Sequence, residues 1–567
     1  MNSGMTEPPD AAHPTSFNLL DEPWLPVVID NAAGGDVPLT TLFRIASRID
    51  RLGAEVGTMN VALLRLLLAI LHRALAAVTP DSADESRTIV EELRNRWDEA
   101  GLPVVLDYLE RHRERFFLFH PTMPFYQVAD LASPKGEVSE LSRLVAERPP
   151  YLGTRSTRGL RRISAADAAR WLTHVHAYDV SGIKTGVVGH PRAKGGKVYP
   201  EGVGWCGQLG SLHLVGRTLL DTLLLNLWAA VSPAEVRDHD LPPWERPPTT
   251  ADESPELASR PYGPVDLYTW QPRLVRLVGD ENGVTGVVLT YGDRFIVQKR
   301  QWVQHIEPMT GWRYSKPQSA KYHEAIFMPR THDPNSQLWR SMSTLIRPGA
   351  ERAPTDDLPA QVIEHASQLR GSSLLPDGIV RLHATGVTYG SNNSVLDDFF
   401  DDGLDLPGAL LDPEQRALRA VAINAVSAAR NGTSAVWKLA DNLARAAGAS
   451  GDSVNGARQE AEALAYSRLD PLYRDWILTD LTLWEHDLLV SEAHWHSRAS
   501  TELYRLGEDL VHQVPLIAWR GFDANGPRSD VGQIFVWFQR GLDAAFPKQR
   551  AQQTAPDPQY QPSEVSR

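Results

Sequence analysis

Apolar residues recur at helical spacing from Asn60 to Val78, where Leu64, Leu67, Leu68 and Leu71 fall on one stripe. A second helical stretch, Arg87–Tyr108, is interrupted at Gly101-Leu102-Pro103. A third, Ala165–His176, opens behind a Ser164 cap. Leu212–Val231 reads as one amphipathic helix. Between these helices the pattern shortens to strand length. Phe17–Asp30 reads as strand, turn at Glu22-Pro23, and strand. Arg273–Leu277 and Val284–Tyr291 flank Asp280-Glu281-Asn282-Gly283, a hairpin signal. Arg294–Gln298 and Ala325–Pro329 are further strand candidates. Strands clustered among helices predict an α+β class.

The pattern changes near residue 405, and from Asp412 to Phe546 almost every segment is helix-forming. Asp412-Pro413-Glu414 places a proline at the first helical position. Arg416–Arg430 then runs to Asn431-Gly432, a helix-stop signal. Thr433–Ala447, Arg458–Tyr466, Leu472–Ser491, Ser497–Val514 and Asp530–Phe546 follow. Short loops between them predict an antiparallel bundle of about four principal helices. The expected division is a polar tail (1–16), a large mixed N-terminal domain (17–404), a C-terminal four-helix bundle (405–547) and a second polar tail (548–567).

Composition narrows the function. The 567 residues carry 57 Lys+Arg against 70 Asp+Glu, a formal charge of −13, so indiscriminate coating of nucleic acid is disfavoured. A single cysteine, Cys206, excludes an intrachain disulfide framework and any cysteine-rich zinc site. It fits a reducing, cytoplasmic setting. The N-terminus shows no signal-peptide pattern, and the apolar stretch Val61–Leu71 is too short to span a bilayer, so no membrane contact is expected. There is no phosphate-binding loop of the G-x-x-x-x-G-K-[ST] type. His174-Val175-His176 and His494-Trp495-His496 sit in helical context, where positions i and i+2 point apart. The run Asp397-Asp398-Phe399-Phe400-Asp401-Asp402 reads as a solvated face, and Cys206 lacks a nucleophile motif. No catalytic residue, metal or cofactor is expected.

Three segments are candidates for binding. Ser181–Pro200 holds four cations, Lys184, Arg192, Lys194 and Lys197, five glycines and no acid. Such a loop contacts phosphates or is simply solvated. Arg155, Arg158, Arg161 and Arg162 lie upstream. Gly202-Val203-Gly204-Trp205-Cys206-Gly207 is dense enough in glycine for close backbone approach to a ligand, such as a minor groove, or for a plain tight turn. Ser391-Asn392-Asn393-Ser394, between β-prone flanks, reads as a hairpin tip. It inserts at a base step or faces water as a type I′ turn.

These three elements, ahead of a helical bundle, together with FNLLDEPWLPV (Phe17–Val27) and FFLFHPTMPFYQ (Phe116–Gln127), resemble the large subunit of the type I-E CRISPR Cascade complex, the CasA family. The resemblance covers residues 17–547. It implies a non-catalytic subunit that examines double-stranded DNA for a short protospacer-adjacent motif from the minor groove. It also implies that the subunit starts strand separation for guide pairing and recruits a separate helicase–nuclease. Its partners would be the other Cascade subunits with CRISPR RNA, and target DNA. By position, the resemblance makes Val180–Pro200 the basic loop near the guide, preceded by the aromatic Tyr178. Gly202–Gly207 becomes the glycine loop, Lys299 the motif-contacting lysine and Ser391–Ser394 the wedge. Asn392 stands where the family has glutamine, one methylene longer. The residues themselves leave two other readings open: a metal-dependent nuclease built on the Asp run or His pairs, and a protein scaffold that never touches DNA.

Overall fold

The computed structural model describes residues 17–547 apart from 146–159, 233, 281, 296–299, 347–355, 376–377, 484–486 and 522–528. The chain divides into two compact units, one ending at Arg416 and the other starting at Ala417. The boundary expected at 404–405 falls inside a strand that ends only at Pro407.

In the N-terminal unit, β1 (Leu25–Ile29), β2 (Ala32–Val37) and β3 (Arg51–Leu52) form a small antiparallel sheet in the order β2-β1-β3. The expected first strand is absent: Asn18 makes only an isolated bridge to Phe117. Helix α1 (Gly57–Ala74) is the core of the unit. It is long and apolar enough to cross a membrane, but 83% of it is buried in the fold, which is where a helix apolar on every side belongs. It packs against α2 (Ala165–Tyr178), whose Ser164 cap accepts from the Asp167 N–H at 3.0 Å.

The chain then forms the short hairpin β4 (Lys184–Thr185) and β5 (Lys197–Val198). The helix expected over 212–231 divides in two. Ser211–Val215 is strand β6, and α3 begins only at Leu219 and ends at Leu227. Two long-range features outweigh the helical period here. β6 pairs antiparallel with a distant strand, and the Asn226 side chain bonds the Leu214 N–H (3.0 Å) and C=O (2.8 Å). Thr218 caps α3 by accepting from Asp221 N–H.

The hairpin read around Asp280–Gly283 is present as β7 (Arg273–Asp280) and β8 (Gly283–Tyr291). Helix α4 (Arg300–Ile306) follows. The strand expected over 294–298 has no counterpart at Arg294 and Phe295, and its remainder lies outside the described residues. β9 (Trp312–Tyr314) pairs with β10 (Phe327–Pro329). The longest ladder joins β11 (Ile379–Tyr389) to β12 (Leu396–Pro407), and β6 completes its sheet in the order β12-β11-β6.

Among the described residues the C-terminal unit has four long helices, α5 (Arg416–Ala446), α6 (Asp452–Leu478), α7 (Leu488–His512) and α8 (Val531–Ala545), packed as a bundle. The stop expected at Asn431-Gly432 does not occur. Gly432 is buried inside α5, and a Cβ there would run into the Phe546 ring, so the glycine serves packing rather than chain reversal. The gap expected between 466 and 472 is also helical, with Pro471 inside α6. Tyr473, Trp476 and Trp495 form the aromatic centre, and Trp495 donates its indole N–H to Ala425 O at 3.0 Å. Trp495 is fully buried, and its neighbour His494 is exposed and lies near Asp480.

Candidate nucleic-acid interface

The hairpin tip is built as its sequence suggests. Asn392 and Asn393 both have left-handed backbones, with φ of 56° and 54°. Asparagine tolerates this region better than most side chains, and two such residues in succession reverse the chain at the end of the ladder, beyond the Tyr389–Leu396 pair. The Asn393 N–H bonds Gly390 O at 2.9 Å, and the Gly390 N–H bonds Val395 O at 3.0 Å. Ser391, Asn392, Asn393, Ser394 and Val395 are all exposed.

This tip touches the start of the basic loop. The Ser181 N–H donates to Asn393 O at 2.8 Å. Further down the hairpin, the Tyr389 hydroxyl donates to Tyr178 O at 2.8 Å. The glycine segment closes the triangle: Gly204 N–H bonds Asp179 O at 2.9 Å, and a Cβ on Gly207 would overlap the Tyr389 hydroxyl. Three segments separated by up to about two hundred residues thus share one corner of the N-terminal unit.

Within that corner the structure corrects several assignments. Val203, Trp205, Cys206 and Gly207 are buried, and Trp205 stacks on Phe295 at 4.5 Å. Glycines 204 and 207 are required by internal packing, so only Gly202, half-exposed with φ of 108°, remains at the surface for an outside ligand. Cys206 is buried, and burial pushes its thiol up to about 11, away from the thiolate form. Tyr178, the aromatic ahead of the loop, is fully buried.

The four loop cations also divide. Lys184 is buried and bonds the Asp179 carboxylate at 2.6 Å. Burial pulls the Lys184 ammonium down to about 8, against the opposing field of Asp179. Burial alone would raise the Asp179 carboxyl, but Arg273 and Lys184 beside it outweigh that and hold it low. Arg192 bridges Glu201 at 2.6 Å and Glu253. Lys194 and Lys197 are exposed and face each other across the Gly195-Gly196 turn, closed by Lys194 N–H to Lys197 O at 2.8 Å. No carboxylate among the described residues pairs with either. Tyr199, two positions on, is 60% exposed.

Lys299, Arg155 and Arg158 lie outside the described residues. Arg162 pairs with Asp280, and Arg161 is exposed. In the aspartate run, Asp401 bonds His383 at 2.9 Å and Asp402 accepts the Leu338 N–H at 2.7 Å. His174 bonds Thr58 and His176 bonds Tyr126 O, each at 3.0 Å. Among the described residues, no three His, Cys, Asp or Glu side chains gather to hold a metal ion.

The model of the CRISPR-associated protein Cse1 family matches residues 18–505. The chain belongs to the Cse1 family. A curated relative, the CRISPR-associated protein CasA/Cse1 of Thermus thermophilus, is 28% identical over 540 residues, covering 89% of this chain and 92% of the relative. The crystal structure of Thermobifida fusca Cse1 superposes with a TM-score of 0.81 at 36% identity, over 94% of this chain and 99% of that one. A chain of a solved CRISPR RNA-guided surveillance complex shares the fold at a TM-score of 0.60 and 18% identity, over 93% of this chain and 100% of that one. For this Cse1-family chain, sequence reading missed Asp179, Arg273 and Tyr291. They lie on both sides of the loop, and their one local signal is an acid immediately ahead of a cation-rich stretch.

Proposed function

We propose that the chain is the DNA-examining large subunit of an RNA-guided surveillance complex of the type I-E Cascade kind, without catalysis of its own. In this reading Ser391–Ser394 is the wedge that enters the duplex beside a protospacer-adjacent motif. Gly202 presents backbone to the minor groove, and Lys194 and Lys197 meet nucleic-acid phosphates. Trp205 and Cys206 support that surface from within. Lys299 keeps its assignment as the motif-contacting cation. The other Cascade subunits with CRISPR RNA hold the chain in place, and a separate helicase–nuclease is recruited after opening.

One observation carries this reading: an exposed tip of two left-handed asparagines is hydrogen-bonded, through Asn393 O, to the first residue of the cationic loop. A wedge needs a rigid protruding turn beside groups that hold the backbone it parts. The acidic total charge supports a division in which the assembled ribonucleoprotein supplies most of the affinity.

The test is strand opening by the assembled complex, with and without this chain, on targets differing only in the motif. Opening should require both the chain and the motif. Lys194→Ala with Lys197→Ala should weaken the slope of log K against log[salt] by about 2, at roughly 0.9 per phosphate contact on duplex DNA. An unchanged slope with motif-independent opening would leave the scaffold reading in its place.

A further inference from the structure

Arg273, the first residue of β7, is 1% exposed, and its guanidinium contacts both ends of the loop junction. Its Nε pairs with the Asp179 carboxylate. One Nη donates to Gly202 O at 2.9 Å and also approaches Asp179 O and Val180 O, each at 3.3 Å. The other Nη donates to Pro272 O at 2.9 Å. The guanidinium lies over the Tyr291 ring, 4.6 Å from its centroid. The Tyr291 hydroxyl in turn accepts from Gly182 N–H (3.1 Å) and donates to Gly182 O (2.8 Å).

This arrangement is more than a buried salt bridge. One side chain holds the carbonyls of Asp179 and Val180 on one side and of Gly202 on the other. Those two stretches flank the basic loop, 181–200. Ser181, the next residue after Val180, is the one whose N–H holds Asn393 O of the hairpin tip. A chain of direct bonds through Arg273 thus links the tip to Gly202, beside the bond from Gly204 N–H to Asp179 O.

We infer that Arg273, seated on Tyr291, is a positioning residue that sets the tip and Gly202 in register for opening a duplex. The inference rests on the functional reading above and adds to it the residue that makes two exposed elements act together. The guanidinium suits the task because its planar fork presents five donors in fixed directions. A lysine ammonium keeps the charge opposite Asp179 but has three donors on a flexible stem, so it cannot hold three carbonyls and a carboxylate at once.

The experiment uses the assembled complex carrying Arg273→Lys, Tyr291→Phe, or Asn392→Ala with Asn393→Ala, which removes both carboxamides and strains the tip. Opening rates are measured on a fully paired target and on one pre-melted beside the motif. Arg273→Lys should slow opening of the paired target at least tenfold, and Tyr291→Phe, which deletes only the Gly182 bonds, several-fold. Both should open the pre-melted target at the wild-type rate, because that target no longer needs the wedge. Equal losses on both targets would mark a general folding or assembly defect and overturn the inference. Wild-type rates on the paired target would overturn it as well. If Arg273→Lys prevents assembly, Tyr291→Leu, which also removes the ring beneath the guanidinium, decides by the same two criteria. The asparagine variant separates this from failure of the functional reading. If it too opens paired DNA normally, the wedge assignment fails. If it does not, while Arg273→Lys and Tyr291→Phe do, only the positioning role falls.

Discussion

Arg65 and Glu307, 242 residues apart, form a bidentate pair at 2.9 and 2.8 Å with 1% and 0% of their side chains exposed. Glu307 also accepts the indole N–H of Trp205 at 2.8 Å and the Met309 N–H at 3.2 Å. The pair thus ties α1, the end of α4 and the glycine segment together. Removing one partner leaves the other charge buried and uncompensated. Arg65→Met or Glu307→Gln should each destabilise the N-terminal unit by about 3–5 kcal/mol. The double variant should cost much less than the sum, because it leaves no orphaned charge. Urea unfolding followed by tryptophan fluorescence measures all three. Strict additivity would show that the two groups do not act as a pair.

Among the described residues of the N-terminal unit six histidines are buried, and in five of them, His72, His174, His176, His213 and His365, burial sets the protonation state. Burial lowers them to about 3, 3, 4, 3 and 4. They stay neutral in the folded unit, whereas in the unfolded chain they take up protons below about 6.5. The unfolded state therefore binds more protons as the pH drops, so the stability present above pH 6.5 is lost progressively towards pH 3–4. At pH 5.5 each costs up to about 1.4 kcal/mol. Five together approach the ~5–15 kcal/mol that holds a domain folded. Scanning calorimetry at pH 7.5 and 5.5 should show the N-terminal transition falling by on the order of 10 °C. A flat response would contradict the neutral assignment.

Much of the fold was legible because its signals are local. The stripe of Leu64, Leu67, Leu68 and Leu71, the Ser164 cap and the turn at Asp280–Gly283 each specify their element within a few residues. Errors fell where a distant partner decides. Ser211–Val215 has a helical period, but β11 takes it as a strand. Gly432 looks like a stop, but Phe546 needs the space above it. The interface shows the same split. The tip was readable from Asn392-Asn393. The burial of Lys184 and the bridging of Arg192 were not, because Asp179, Glu201 and Glu253 neutralise them from outside the loop. Trp205 could not be told from a surface aromatic until Glu307 and Phe295 were placed against it.

The left-handed backbone of the tip allows its shape and its side chains to be tested apart. Asn392→Ala with Asn393→Ala removes both carboxamides and also strains the turn, at roughly 1–2 kcal/mol per residue. Asn392→Gly with Asn393→Gly removes the carboxamides and leaves the turn unstrained. If the carboxamides part the base pairs, both double variants should slow strand opening by about tenfold or more, with equal initial motif binding. If the protruding turn alone is enough, the glycine variant should open DNA at the wild-type rate and only the alanine variant should fail. A rapid-mixing assay with a fluorescent base beside the motif distinguishes the two.

Gly202 and Gly204 are two residues apart and should respond to alanine for opposite reasons. A Cβ on Gly202 meets nothing within 4 Å, but its φ of 108° disfavours any L side chain. A Cβ on Gly204 would overlap the backbone of Ala177 at the end of α2, where no flexible group can yield. Gly204→Ala should therefore lower stability by about 1–3 kcal/mol through overpacking. Its loss of DNA opening should then follow the loss of folded protein and recover on cooling. Gly202→Ala should cost about 1 kcal/mol of stability. If Gly202 presents its backbone to the groove, it should also slow motif-dependent opening at temperatures where the complex is fully folded. Thermal melts paired with opening rates at two temperatures separate the cases. A Gly202→Ala complex that opens matched targets at the wild-type rate would remove the glycine segment from the proposed contact surface.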